Sequence, residues 1–262
     1  MATWGGVADR PLIRFAALAT TAVLLTFGAL EGILVVSAAV AHPHQTVALD
    51  LRLYVERAAS WLGGDGFYLE RQLTGQAYEI TPGDALYPPP ILLLLVPITV
   101  LPWFLWWVVP LTVVAASLWR LAPGVRAWPL LALVLCYPRT WEVLVYGNPS
   151  MWMIAAVFAG AAWGWPAVFA LLKPTLAPFA LVWARSRRWW LALVILLLVG
   201  VPFAGLWVDY LVAIRDAVNP YGPEYLLGEW PIALASVVAW FASPIRASRQ
   251  RRDRPFTENA HP

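Results

Sequence analysis

The stretch FAALATTAVLLTFGALEGILVVSAAV, residues 15–40, decides the fold because its side chains are almost all apolar. It exceeds the ~20 apolar residues that a helix needs to cross a bilayer. Its apolar residues are continuous rather than alternating, which predicts a helix and not a barrel strand. It is also longer than the roughly 7–15 apolar residues of a signal peptide, so we interpret it as an uncleaved first span. Arg10 and Arg14 then hold its start in the cytoplasm.

The composition of the whole chain agrees with this interpretation. Of the 262 residues, 61% are hydrophobic and only 13% are charged, against roughly 25% charged residues in a soluble domain. The 17 tryptophans fit the interface belts of a membrane protein. A net charge of +3 and one cysteine, Cys136, give no indication of a nucleic-acid partner, a disulfide framework or a cysteine-based metal site. We predict an all-α integral membrane protein without a cofactor.

Further apolar runs predict about eight transmembrane helices in a single domain, residues 1–244. The runs after the first are 90–101, 103–119, 127 to about 139 or 145, 151–163, 166–184, 189–207 and 230–242. We interpret the runs 90–101 and 103–119 as a hairpin with a cytoplasmic turn near Leu101-Pro102. The basic tail, residues 245–262, is predicted to be disordered and cytoplasmic.

Arginine positions set the predicted orientation. Arg185, Arg187, Arg188 and the tail arginines lie inside by the positive-inside rule, which puts both termini in the cytoplasm. Arg120 and Arg126 disagree, because this count leaves their loop outside. A re-entrant hairpin at 90–101 would move that loop inside but would disturb the Arg185–Arg188 assignment. Only one of the 18 basic residues is lysine, which suggests a GC-rich, bacterial genome and hence a bacterial inner (plasma) membrane.

Two external loops follow from this topology, 41–86 and 208–229. Within the first, residues 47–62 have apolar side chains at i, i+3 and i+4 spacing, which predicts an amphipathic helix on the membrane surface. Gly63-Gly64-Asp65-Gly66 ends that helix. The loop also carries Asp50, Arg52 and Tyr54 near its start and Tyr87 where the chain re-enters the membrane. We expect the chemistry at these two ends of the loop.

Lys173 is the clearest intramembrane charge. It lies in an apolar run about 11 residues from the Arg185–Arg188 cluster, too far for easy snorkelling. A buried ammonium needs an anionic partner, and a phosphate group suits a compact point charge. The alternative is a structural ion pair with Glu142 or another carboxylate.

Two further polar positions have both a functional and a structural interpretation. Asn148, in Tyr146-Gly147-Asn148-Pro149, is either a ligand-binding side chain or the tip of a turn between two apolar runs. Asp50 is either a general base beside the membrane or a carboxylate stabilised at a helix N-terminus. His42 and His44 could join Asp50 at a metal, but His-x-His in a loop is weak evidence, and we predict no metal site.

Five motifs in order resemble glycosyltransferase family 87, a family of membrane glycosyltransferases with the C-type fold. They are Asp50 followed by Tyr54, Tyr87-Pro88-Pro89, Leu101-Pro102, Gly147-Asn148, and Leu172-Lys173-Pro174 followed by Arg187-Arg188-Trp189. The resemblance covers roughly residues 10 to 205. The chain is shorter than is usual in that family. It is therefore either a compact member or one that has lost part of the donor groove and is inactive or needs a partner.

The resemblance implies a glycosyltransferase, most simply a hexosyltransferase, that takes a hexose or pentose from a polyprenyl-phosphate donor with inversion at the anomeric carbon. Mannose is the expected sugar and arabinose the alternative. The acceptor would be an envelope glycolipid or glycan at the outer face. Asp50 would be the base, and Lys173, Asn148, Tyr54, Tyr87 and Arg52 would be candidates for binding substrate. The competing interpretation is a non-catalytic subunit that binds or transports polyprenyl phosphate on the same scaffold.

Overall fold

The computed structural model describes residues 11–220 and 227–244. The chain is mostly helical, with helices apolar enough for a membrane protein, so the predicted all-α class is confirmed at this level. The predicted cytoplasmic tail 245–262 lies outside the described residues, as does Arg10.

The helices vary widely in length, and several are interrupted. The α-helices are α1 Pro11–Ala41, α2 Leu49–Gly63, α3 Leu92–Ile98, α4 Leu105–Leu121, α5 Trp128–Leu133, α6 Pro138–Val145, α7 Ser150–Trp163, α8 Ala177–Leu181, α9 Arg187–Gly200, α10 Ala204–Asp216 and α11 Trp230–Phe241, with one further turn at Pro43–Thr46. Short 3₁₀ segments are Glu70–Gln72, Pro89–Ile91, Val125–Ala127, Val134–Cys136, Trp165–Leu172, Pro174–Leu176 and Val201–Phe203. Two short strands, β1 Tyr78–Glu79 and β2 Ala217–Val218, pair in parallel.

Two continuous helices are long and apolar enough to cross a membrane. They are α1, with a mean hydropathy of 2.2, and the helix formed by α9 and α10 together, Arg187–Asp216, with a mean hydropathy of 2.6. Helices α6 and α7 would pass the same test as one element but are bent by 116° at residues 146–149. The predicted first span is therefore present as a candidate membrane helix.

The first part of the predicted second external loop, 208–229, is helical rather than irregular. Residues 208–216 belong to helix α10. One face of this helix, with Tyr210 and Ala213, is buried, whereas the apolar Leu211 and Ile214 are exposed. Residues 221–226 of that loop lie outside the described residues. The predicted surface helix is present as α2, and it ends as expected at Gly64, whose φ of +96° favours glycine.

The segment between Tyr87 and α4 enters the body of the protein and returns to the same end. Its start lies beside Asn148, to which the Tyr87 hydroxyl is hydrogen-bonded. Its return is fixed by Trp106 and Trp107, whose indole N–H groups donate to the carbonyls of Gly147 and Leu144 at 2.8 and 2.7 Å. The predicted hairpin with a turn at the cytoplasmic end is therefore wrong. Since α3 has only seven residues, it is about 10 Å long, too short to reach the far end.

A group of arginines lies at the end of the protein opposite Asn148 and the external loop. We call this the arginine end, and its members are Arg14, Arg120, Arg126 and Arg185–Arg188. Arg120 donates to the carbonyl of Ala162 at 3.2 Å, and a Cβ built on Gly164 would lie 3.9 Å from that of Ser186. The Gly124 N–H donates to the carbonyl of Ala242. Helix α1 contacts residues 125–127 and runs parallel to 125–145, with Leu24 beside Cys136 and Gly32 beside Trp141, so its first turns lie here as well. The conflict between Arg120, Arg126 and Arg185–Arg188 disappears in this arrangement.

Residues 165–184 form two legs rather than one span. The chain leaves the arginine end after Gly164, reaches Lys173 at the other end, and returns to Ser186. Pro166, Pro174 and Pro178 interrupt regular helix geometry along this path, and the segment is mainly 3₁₀. The predicted span 166–184 is therefore wrong as a single helix. Its turning point brings Lys173 to the end that carries the external loop.

Candidate polar site at the loop end

The start of α2 docks on the end of α6. The backbone N–H groups of Ala48 and Asp50 donate to the carbonyls of Val145 and Tyr146 at 2.8 and 2.9 Å. The last carbonyls of one helix thus accept from the first N–H groups of another, which satisfies groups that neither helix can satisfy internally. This joint holds Asp50 against the bend between α6 and α7.

Asn148, in that bend, is the hydrogen-bond donor to Asp50. Its side-chain amide donates to Asp50 Oδ2 at 2.6 Å. The preceding Gly147 has a φ of +65°, and a Cβ there would come within 2.9 Å of Trp107, so no other residue fits well. The Gly-Asn pair is a device that turns the chain and aims the amide at Asp50.

The other side of the Asn148 amide is also occupied. Its Oδ1 accepts from the Tyr87 hydroxyl at 3.1 Å and from the Ser150 N–H at 2.9 Å. The Ser150 hydroxyl oxygen is also close to it. Because the Ser150 backbone N–H can only donate, it fixes the amide with its oxygen towards Ser150 and its NH₂ group towards Asp50.

Lys173 is paired with Glu229, which lies directly before α11. The Lys173 Nζ lies 2.7 Å from each of the two carboxylate oxygens. Ser150, which is fully buried, donates to Glu229 Oε1 at 3.0 Å and is itself hydrogen-bonded by Lys173. Glu229 is only 1% exposed and the Lys173 side chain 17%, so the Glu229 charge depends on the pairing for its stability.

Arg139 is the second cation of the site. It lies 3.0 Å from Glu142 and 3.7 Å from Glu229. The suggested ion pair between Lys173 and Glu142 is therefore wrong, because Glu142 lies beside Arg139 on the next turn of α6. The alternative that Lys173 pairs with another carboxylate is confirmed, and that carboxylate is Glu229.

These groups surround a cavity of about 290 Å³, close to the lower end of the roughly 300–1,000 Å³ typical of ligand pockets. Its charged lining residues are Arg139, Lys173 and Glu229. Its neutral polar lining comes from tyrosines, amides and a threonine, namely Tyr54, Tyr87, Asn148, Thr175 and Asn219. The Thr175 hydroxyl oxygen is buried without a hydrogen-bond partner among the described residues. A ligand with hydroxyl groups and one negative charge would match this lining.

The two tyrosines pack against each other at the wall of the cavity. The Tyr54 and Tyr87 rings meet edge to face at 5.3 Å, and the Tyr54 hydroxyl donates to the carbonyl of Asp84. Asp84 is in turn held by Arg71 at 2.6 Å. Tyr87 also lies 5.7 Å below the Lys173 ammonium, a cation–π contact. The external loop therefore forms one wall of the site.

Burial raises the pKa of Asp50 above its usual range. The hydrogen bond from Asn148, followed by the charges of Arg139 and Lys173, opposes this rise, and the charge of Glu229 adds to it. Asp50 is thus linked to the cavity wall by its hydrogen bond with Asn148, and it interacts electrostatically with Arg139, Lys173 and Glu229. It is not itself a cavity-lining residue.

The predicted site residues come together with one exception. Asp50, Tyr54, Tyr87, Asn148 and Lys173 lie in one connected group, whereas Arg52 is exposed and does not line the cavity.

Sequence reasoning missed Glu229, Arg139 and Ser150. Glu229 had one usable signal, a carboxylate directly before an apolar run, but it was assigned to a loop. No three His, Cys, Asp or Glu side chains of residues 11–220 and 227–244 cluster as a metal site would require.

Comparison with known proteins found no matching family model, no matching curated protein and no matching solved structure.

Proposed function

We propose that this chain is a polytopic membrane glycosyltransferase whose sugar donor is a polyprenyl-phosphate-linked hexose or pentose. Mannose is the sugar that we expect it to transfer. The acceptor is an envelope glycolipid or glycan at the outer face. One observation supports this most directly: Asp50 is bound by Asn148 at the wall of a polar cavity that also receives Lys173 and Arg139. A base, an anion site and sugar-sized polar space are thus within one group of contacts.

The reaction assigned to this site is a single displacement. The acceptor hydroxyl oxygen forms a bond to the anomeric carbon from the face opposite the phosphate. The bond from that carbon to the phosphate oxygen breaks, and its electron pair leaves with the polyprenyl phosphate. Asp50 takes the hydroxyl proton, and the configuration inverts. The raised pKa of Asp50 makes this carboxylate a stronger base than an exposed one.

Lys173 and Arg139 are the candidates for stabilising the leaving phosphate. Both contact Glu229, and together they carry the positive charge of the cavity lining. Cations fixed where negative charge develops lower the barrier, and they act most strongly where water is excluded.

The contacts also support a topology of eight membrane crossings. The legs are α1, α4, residues 125–145, α7, residues 165–172, residues 174–184, α9 and α11. Every described arginine cluster then lies on the cytoplasmic side, and both the external loop and the polar site lie outside. In this arrangement 89–104 is re-entrant. Cytoplasmic termini and a bacterial inner membrane belong to the same proposal.

The test is the substitution Asp50→Asn, assayed in membranes with polyprenyl-phosphate-linked mannose and, in parallel, arabinose. Loss of the base predicts a fall in transfer of about 10²–10⁴-fold at unchanged protein level. The matched control is Glu56→Gln on the same helix, since Glu56 is 66% exposed and pairs with the adjacent Arg57. Transfer by Asp50→Asn at the control rate would exclude Asp50 as the base.

A non-catalytic subunit that binds or transports polyprenyl phosphate is the second candidate. It is favoured by the position of Asp50 behind Asn148 rather than in the cavity lining. This candidate predicts binding of polyprenyl phosphate that depends on Lys173, with no sugar transfer from any donor and no effect of Asp50→Asn on binding.

A further inference from the structure

Glu229 contacts both cations of the cavity lining, Arg139 at 3.7 Å and Lys173 at 2.7 Å. Arg139 and Lys173 contribute two positive charges to the lining, and Glu229 contributes one negative charge, which leaves a formal charge of +1. Glu142 also contacts Arg139, but it is 39% exposed and does not line the cavity. Of the carboxylates of Asp50, Glu142 and Glu229, that of Glu229 is the one that lines the cavity.

We propose that Glu229 makes this site selective for a phosphodiester with a single negative charge over a phosphomonoester with two. This inference rests on the proposed function. The sugar donor is a phosphodiester and the released polyprenyl phosphate is a monoester, so Glu229 would favour donor binding and product release.

The physical basis is charge balance in a dehydrated site. A monoanion neutralises a lining of +1, whereas a dianion leaves an uncompensated negative charge beside a carboxylate that is 1% exposed. Unit charges about 4 Å apart interact strongly at the low effective dielectric constant of such a site. Replacing Glu229 by glutamine raises the lining charge to +2 and makes the dianion the better match.

Ser150 and the Lys173 pair hold Glu229 in this position. Ser150 donates to Oε1, and Lys173 reaches both oxygens, so the carboxylate is fixed rather than free to turn away. Glu229 also lies at the N-terminus of α11, a 12-residue helix whose dipole favours a negative charge there. The carboxylate is therefore held in place at the wall of the cavity.

The test is a calorimetric titration of the purified protein in detergent with farnesyl phosphate and with its methyl phosphodiester. At pH 8 the monoester carries nearly two charges. We expect the wild-type protein to bind the diester more tightly, by about tenfold or more, and Glu229→Gln to reverse this order. The control is Glu142→Gln, which removes the other carboxylate that contacts Arg139 but does not line the cavity. We expect it to leave the order of the two affinities unchanged.

The double variant Glu229→Gln with Lys173→Gln removes the buried pair together and returns the lining charge to +1. We expect it to recover the preference for the diester, even if Glu229→Gln alone does not fold. A wild-type protein that binds the monoester more tightly, or an order unchanged in Glu229→Gln, overturns the inference while leaving the glycosyltransferase proposal intact. Failure of both lipids to bind the wild-type protein overturns both.

Discussion

Asn148 donates its side-chain amide to Asp50 across 98 residues of sequence, at 2.6 Å. The partners on the other side of that amide, Tyr87 and Ser150, fix its orientation. The carboxylate at the start of the surface helix is therefore held by the bend between α6 and α7 and, through that bend, by the loop residue Tyr87. Three distant segments meet at one hydrogen bond.

Asn148→Ala is expected to move the acid limb of the pH–rate profile for sugar transfer to higher pH. Burial already raises the pKa of Asp50, and the Asn148 hydrogen bond opposes that rise, so its loss raises the pKa further. A base with a higher pKa is protonated, and so inactive, over a wider acidic range. The measurement is transfer rate against pH for the wild-type protein and the variant. Glu56→Gln should keep the wild-type profile. An acid limb that does not move in Asn148→Ala would show that the protonation of Asp50 does not control the transfer rate.

Glu229→Gln should destabilise the protein by about 3–5 kcal/mol, because it leaves the Lys173 charge without its buried partner. Addition of Lys173→Gln should recover much of that loss, since both charges are then removed together. Thermal unfolding of the two single variants and the double variant in one detergent completes the cycle. Glu142→Gln is the control, and its 39% exposed carboxylate should contribute no more than about 1 kcal/mol. Additive effects of the two substitutions would contradict a coupled pair.

Some of the site could be predicted from single residues, and some could not. Lys173 and Asp50 stand out because a charge inside or beside an apolar run needs a reason, whatever its neighbours are. Glu229 does not stand out, because its burial depends on Lys173, which comes from another leg of the chain 56 residues away. Hydropathy likewise describes residues 90–101 as apolar without indicating direction. Only the bonds from Trp106 and Trp107 to the α6–α7 bend reveal that the chain turns back.

Two glycines of α1 allow a close contact that larger residues would prevent. A Cβ on Gly28 would lie 2.7 Å from Leu135 Cβ, and one on Gly32 would lie 2.6 Å from the Trp141 ring. Gly32→Ala should therefore destabilise the protein by about 1–3 kcal/mol through overpacking. Gly205→Ala, a helical glycine with open space around it, should be neutral or stabilising. Equal unfolding temperatures for the two variants would argue against the packing of α1 on 134–141.

The return of residues 89–104 to the loop end makes a distinct topological prediction. If these residues formed a membrane-crossing hairpin, Arg126 and Asp65 would both face the outside. If they are re-entrant, α4 starts at the loop end, and Arg126 faces the cytoplasm with Arg185–Arg188. Labelling with a membrane-impermeant maleimide separates the two arrangements, because Cys136 is the one cysteine of the chain and Cys136→Ala removes the background. On that background, Asp65→Cys should react in intact cells, whereas Arg126→Cys should react only after the membrane is opened. Reaction of both cysteine variants in intact cells would contradict the re-entrant arrangement and restore the hairpin. The structure argues against that outcome, because the contacts of Arg120 with Ala162 and of Gly164 with Ser186 bring residues 120–126 and 185–188 to the same end of the protein.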